Sequence, residues 1–350
     1  MNRSNREIKI VGGGLAGLAL GIALRRRDTP VALYEAGNYP RHKVCGEYIA
    51  GLSPSIIESL GIGDLLADAN PQSSLTWFCN GKAFRSDRLR YPALGISRYR
   101  LDERMADRFE ALGGRMELGQ RIQAPVSGEN TEGWVWAYGR RKTKSDWIGL
   151  KVNCRSLSLA NGLEMHLGNQ AYAGACALES GRVNVCGLFR ARKTPRENGR
   201  IPLLEYLKTC GFEAFAKRVE AGDPDIRSHC GVSAISFGVA PAPANSIHIG
   251  DSYATIPPFT GAGMTMSFEG AIAALSPIIE YSKGHCSWEN ACRNTRRRQS
   301  EIFRARLAFA RILHPFLYGK AGQSVFRAFS ASKLLPFSFL IGILHKRRSA

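Results

Sequence analysis

The chain has 350 residues, 44% of them hydrophobic and 22% charged, enough for one large two-part unit or two ordinary domains, and this excludes a disordered or fibrous protein. Its net charge of +19 is uneven, because residues 293–350 hold thirteen Lys or Arg against the single acid Glu301. Nine cysteines (Cys45, Cys79, Cys154, Cys176, Cys186, Cys210, Cys230, Cys286 and Cys292) form no CxxC pair and no finger spacing, so no metal site is expected.

The odd cysteine count, with no secretory leader in MNRSNRE, predicts reduced thiols and a cytoplasmic protein. No run approaches the ~20 apolar residues of a membrane-spanning helix. In chain order, residues 7–11 (EIKIV) predict a strand that runs into Gly12-Gly13-Gly14-Leu15-Ala16-Gly17. An apolar helix follows to Arg25, then Thr29-Pro30 and a second strand ending at Glu35. Gly12 permits the turn, Gly14 lets backbone approach a pyrophosphate at the helix start, and Gly17 lets helix and strand pack closely. Glu35 is placed for ribose hydroxyls. Strand, glycines, helix, strand and acid occur in the order a dinucleotide fold needs, which alone does not separate NAD from FAD. Gly61-Ile62-Gly63-Asp64 lacks the third glycine and the preceding strand and reads as a turn between helices.

A second motif spans residues 246–264, SIHIGDSYATIPPFTGAGM. A strand (247–249) ends in Gly250-Asp251, crosses Pro257-Pro258 and opens a helix through Gly261-Ala262-Gly263-Met264. An Asp there accepts hydrogen bonds from polyol hydroxyls, and the helix N-terminus offers N–H donors.

At these residues the chain resembles the FAD-dependent oxidoreductases of the p-hydroxybenzoate hydroxylase fold, within them the geranylgeranyl-reductase-like group. That group reads GD…DPFTGEGI where this chain reads GDSYATIPPFTGAGM. Residues 40–47 (PRHKVCGE) resemble its P-R-x-K-x-C-G segment, and residues 95–102 (GISRYRLD) its "R…LD" joint. Asp102 also suits the N-cap of a helix over 103–112. The resemblance covers most of residues 7–275. It implies an α/β fold: a three-layer Rossmann-like FAD/NAD(P)-binding domain (1–75, 95–145, 230–285), an inserted antiparallel β-sheet substrate domain (76–94, 146–229) and a basic C-terminal helical region (286–350).

The resemblance assigns FAD to Gly12, Gly14, Leu15, Ala16, Gly17, Glu35, Ala36, Arg41, Arg98, Gly250 and Asp251, with Pro258, Gly261, Ala262, Gly263 and Met264 along the isoalloxazine. NAD(P)H is the expected reductant. Cys45 would sit near the flavin and serve in protonation, or else fill space as a small buried residue. One departure is at Tyr138-Gly139-Arg140, where the group carries Asp-Gly, and the span from Gly119 to Val135 is short. Both bear on nucleotide handling.

The reaction is less specified than the cofactor. The halogenase motif W-x-W-x-I-P is absent, and residues 170–176 (QAYAGAC) keep only the Tyr of the prenyl-reductase Y-x-W-x-F-P strand. The expected activity is a monooxygenase on a phenolic, polyketide or lipid-like substrate. Reduction of isoprenoid double bonds and electron transfer without an organic substrate are the alternatives. His166, His229 and His248 read as structural, and His42 as a solvated loop residue, with orientation of a substrate the alternative. Residues 288–318 have helical periodicity. Residues 333–348, a short greasy stretch bracketed by bases, suit either a peripheral anchor on an anionic membrane or a packed helix. No nucleic-acid module is present.

Overall fold

The computed structural model describes residues 5–123, 130–141, 143–192 and 201–331. The greasy tail anticipated at 333–348 lies outside them. Five strands form a wholly parallel sheet in the order Ile247–His248, Trp134–Trp136, Ile8–Val11, Val31–Tyr34 and Arg115–Glu117. The helix Leu15–Arg25 follows the central strand, and every residue from Leu15 to Leu24 is buried. A helix apolar all round must be covered all round. The sheet lies on one side of it, and the helices Arg98–Ala111 and Gly263–Ser282 pack on the others.

Sequence details enforce that packing. A Cβ on Gly17 would run into the carbonyl oxygen of Gly12, and one on Gly21 would come within 2.9 Å of the Phe109 ring. Gly12 has φ +108 and lies against the carbonyl of Ala137, just past the end of the neighbouring strand. Only glycine meets both demands at position 12.

A second sheet of eight strands runs Pro224–Val232, Trp147–Cys154, Val183–Arg190, Ala171–Ala177, Leu163–Gly168, Asn70–Cys79, Lys82–Gly95 and Tyr48–Ile49. It is antiparallel except where Asn70–Cys79 meets Leu163–Gly168. Residues alternate between its faces. Leu150, Val152, Val185, Ala171 and Ala173 pack under the helices Pro202–Thr209 and Glu213–Ala221. Gly149, Cys186, Leu188, Tyr172 and Gly174 face a cavity shared with the parallel-sheet unit.

The helix Trp288–Tyr318 matches the periodic stretch read from the sequence, and Ser287 caps it by accepting from the Asn290 amide. It is held to Gly263–Ser282 by a buried bidentate pair, Arg306 Nη1 to Glu269 Oε2 at 2.5 Å and Nη2 to Oε1 at 3.1 Å. Among the described residues no helix is long and apolar enough to cross a membrane. The structure corrects one expected cap. The helix begins at Arg98, with the Ser97 hydroxyl accepting from the Arg100 amide, so Asp102 lies inside it. The Asp102 carboxylate is fully buried and taken by Arg98 and Lys43 instead.

Replacing Arg306 with Met would leave Glu269 buried without its partner, which costs about 3–5 kcal/mol. Denaturant unfolding of R306M is expected to show that loss, and the double variant E269L/R306M is expected to recover most of it.

Candidate functional site

Two connected chambers open at the C-terminal edge of the parallel sheet. The outer one is lined by Gly12, Gly14, Leu15, Ala16, Glu35, Ala36, Arg41 and Gly250. The Glu35 carboxylate accepts from the Gly13 amide (2.7 Å), the Gly37 amide (2.9 Å) and Arg41 Nη2 (2.7 Å), so it stands fixed at the end of its strand. A Cβ on Gly13 would strike the Tyr39 hydroxyl, which donates to the Gly13 carbonyl at 2.5 Å. A Cβ on Gly14 would meet no protein atom closer than 4.0 Å. Gly14 therefore opens directly onto the chamber. The helix that starts there has no side-chain cap, which leaves its first N–H groups facing the chamber.

The neck between the chambers is lined by Leu15, Val44, Arg98, Arg140, Val232, Asp251 and Ser267, which border both. Asp251 is accessible from the neck yet walled in by protein. That desolvation raises its pKa, while Arg140 and then Arg98 pull it down. Arg98 itself is clamped on Asp102 through Nε (2.7 Å) and Nη2 (2.8 Å), and Lys43 reaches the same carboxylate at 2.7 Å. Burial opposes ionisation of Asp102, but Arg98 and Lys43 outweigh it and hold its pKa low.

The inner chamber is walled mainly by apolar side chains. On one side lie Pro258, Gly261, Gly263 and Met264, where the helix Gly263–Ser282 begins without a side-chain cap. A Cβ on Gly263 would meet nothing within 4 Å, whereas one on Gly261 would collide with the Tyr48 ring. Opposite is an apolar wall of Leu75, Met165, Tyr172, Leu188, Ile235 and Phe237. Cys45 and Glu47 close the end near the neck. Burial raises the Cys45 thiol pKa, so it carries its proton at neutral pH. Glu47 sits at φ +57, wholly buried, and accepts from Lys151 Nζ at 2.6 Å and from the Arg98 amide at 2.9 Å.

The structure thus brings all but two of the anticipated positions to the chambers. Gly17 packs behind the turn, and Ala262 is buried with its side chain among Met266 and Phe303. Gly250 has a reason of its own: at φ +62, a Cβ there would come within 2.8 Å of Ala16 Cβ, so the second motif could not approach the first helix. Sequence reading missed the Glu47–Lys151 pair, although a Lys between Leu150 and Val152 in an otherwise apolar strand is the signal. It also missed Phe237 and His314. His314 lies behind the wall among Trp147, Phe237 and Phe259, with Nε2 3.4 Å from the Tyr172 hydroxyl. Among the described residues no group of three or more His, Cys, Asp or Glu could hold a metal.

The family model of the NAD(P)-binding Rossmann-like domain matches residues 10–60. Menaquinone reductase of Mycobacterium tuberculosis is 29% identical over 168 residues, 47% of this chain and 39% of that protein, so the match spans about two fifths of that relative's length. Among solved structures, PqsL of Pseudomonas aeruginosa in complex with 2-aminobenzoylacetate superposes with a TM-score of 0.71 at 16% identity, over 91% of this chain and 98% of that one. The flavin-dependent brominase Bmp2 gives 0.75 at 15% identity, over 97% and 94%. The chain has the fold of the FAD-dependent monooxygenases, opening on an NAD(P)-binding-type Rossmann unit.

Two outcomes follow from the geometry. Gly12→Ala is expected to lose about 3 kcal/mol or more, through positive φ and the Ala137 carbonyl. Gly14→Ala is expected to stay within about 1 kcal/mol of wild type in the same unfolding titration. Burial also holds the pKa of His314 down at about 4. A folded-state pKa below the ~6.5 of an unfolded histidine means the unfolded chain takes the proton first, so stability falls as pH drops from about 6.5 toward 4. His314→Phe should reduce proton uptake on unfolding in that window by about one, read from the slope of unfolding free energy against pH.

Proposed function

We propose that the protein is an FAD-dependent oxidoreductase, a monooxygenase acting on an aromatic, polyketide or lipid-like substrate, with NAD(P)H as reductant. The observation that carries the reading is one continuous path. It runs from Glu35 past Gly14 and Asp251 to Gly263, with an uncapped helix N-terminus at each glycine and no protein atom where a Cβ would stand. FAD fits that path: Glu35 faces the adenosine ribose, the Leu15–Arg25 helix start the pyrophosphate, Asp251 the ribitol, and Pro258–Met264 the ring. When bound, the flavin supplies the redox chemistry. The protein holds it with fixed donors, excludes water with the apolar wall and keeps a protonated thiol, Cys45, in the same chamber. The apolar wall beside the ring position supports an organic substrate over bare electron transfer.

A second reading is double-bond or quinone reduction. The protonated Cys45 and the menaquinone reductase relative favour it. Association with an anionic membrane would suit a lipid-like substrate under either reading. Exposed Ile312 and Phe316 beside Arg304, Arg311, Lys320 and Arg327 on the last two helices support it. The domain division anticipated above is kept with this reading.

The test is the visible spectrum of the purified protein, followed by NADPH consumption in air. Two flavin bands, and oxygen-dependent NADPH oxidation stimulated by phenolic lipids, are expected. NADPH-independent saturation of an isoprenoid chain by chemically reduced protein would shift the reading to the reductase. A colourless protein that takes up no added FAD would contradict both.

A further inference from the structure

We propose that Arg140 is the cationic ligand of the FAD pyrophosphate, a role that rests on the flavoprotein reading and that no resemblance assigns to this position. The loop carrying it leaves the strand Trp134–Trp136 directly beside the glycine turn. A Cβ on Gly12 would strike the Ala137 carbonyl and come within 2.7 Å of Tyr138 Cα. Gly139 turns the chain at φ +84 with nothing within 4 Å of its Cβ position, and Arg140 then borders both chambers at the neck.

The other cations of the path are already committed. Arg41 is paired with Glu35, and Lys43 and Arg98 share Asp102. Arg121 lies exposed at the rim. Arg141 donates Nε to the Tyr138 hydroxyl at 2.8 Å, which turns it away from the neck. Arg140 is half-buried and, among the described residues, makes neither a hydrogen bond nor an ion pair within 4.0 Å. The Asp251 charge offsets part of the cost of burying this guanidinium but makes no hydrogen bond to it, and a diphosphate is the dianion this path has room for. The planar fork of Arg matches two phosphate oxygens, and the helix N–H groups at Leu15 and Ala16 meet the others. Asp251, the nearest acid, is left for hydroxyls. This also accounts for the departure at position 138. Where the resembling group carries an acid beside the phosphates, this chain carries a phenol that occupies Arg141, and a cation two residues on.

The test is titration of apoprotein with FAD, followed by flavin fluorescence, and displacement by ADP. Arg140→Gln should weaken both FAD and ADP at least tenfold, with the unfolding midpoint of the apoprotein no lower than that of wild type, and Arg140→Lys should fall between. Affinities within twofold of wild type in the Gln variant would overturn the assignment. Loss of FAD affinity with ADP unaffected would overturn it too, by putting Arg140 at the flavin ring. Should the Gln variant fail to fold, Arg140→Lys decides: unchanged FAD and ADP affinity in it would overturn the bidentate contact. Wild-type protein that binds ADP but not FAD would contradict the flavoprotein reading itself.

Discussion

The buried carboxylate of Asp102 is the constraint on which the site depends. It has no exposure and accepts three hydrogen bonds from two cations, Arg98 one turn earlier on its own helix and Lys43 from the loop after Glu35. An unpaired carboxylate there would cost several kcal/mol, so folding is coupled to bringing all three groups together. That fixes where Arg98 stands in the neck. It also fixes the course of Pro40–Glu47, and with it the places of Cys45 and Glu47 at the end of the inner chamber.

From that clamp a second ionic tie reaches across to the eight-stranded sheet. Glu47 accepts from the Arg98 amide on one side and from Lys151 on the other, and Asn184 donates to the Cys45 carbonyl at 2.9 Å. The loop bearing Cys45 is thus anchored to both halves of the molecule. Its backbone, left-handed at Glu47, is a conformation that a non-glycine residue keeps only when its surroundings hold it there. The glycines do the complementary task. Gly12, Gly17 and Gly250 let backbone approach backbone, while Gly14 and Gly263 leave space that the protein itself does not fill.

Much of this was legible in the sequence because turn glycines and caps act over a few residues. The strand-glycine-helix unit, the second motif and the helix Trp288–Tyr318 all announce themselves locally. What was not legible depends on partners far apart in the chain. Asp102 has the residue type of an N-cap, and nothing nearby tells that Lys43, fifty-nine positions away, holds it inside the helix. Lys151 and Glu47 are 104 positions apart, so their pairing is visible only once the second sheet lies against the loop. The apolar wall needed four strands and a loop to converge, and His314 joins it from a helix whose periodicity says nothing of what it will cover.

The most direct test is a crystal structure of the protein grown with FAD. The account predicts an extended FAD, its diphosphate at Gly14 and its ring in the inner chamber between Pro258–Met264 and the wall at Tyr172 and Leu188. A flavin ring lying outside that chamber, or a diphosphate away from the helix that begins at Leu15, would contradict it.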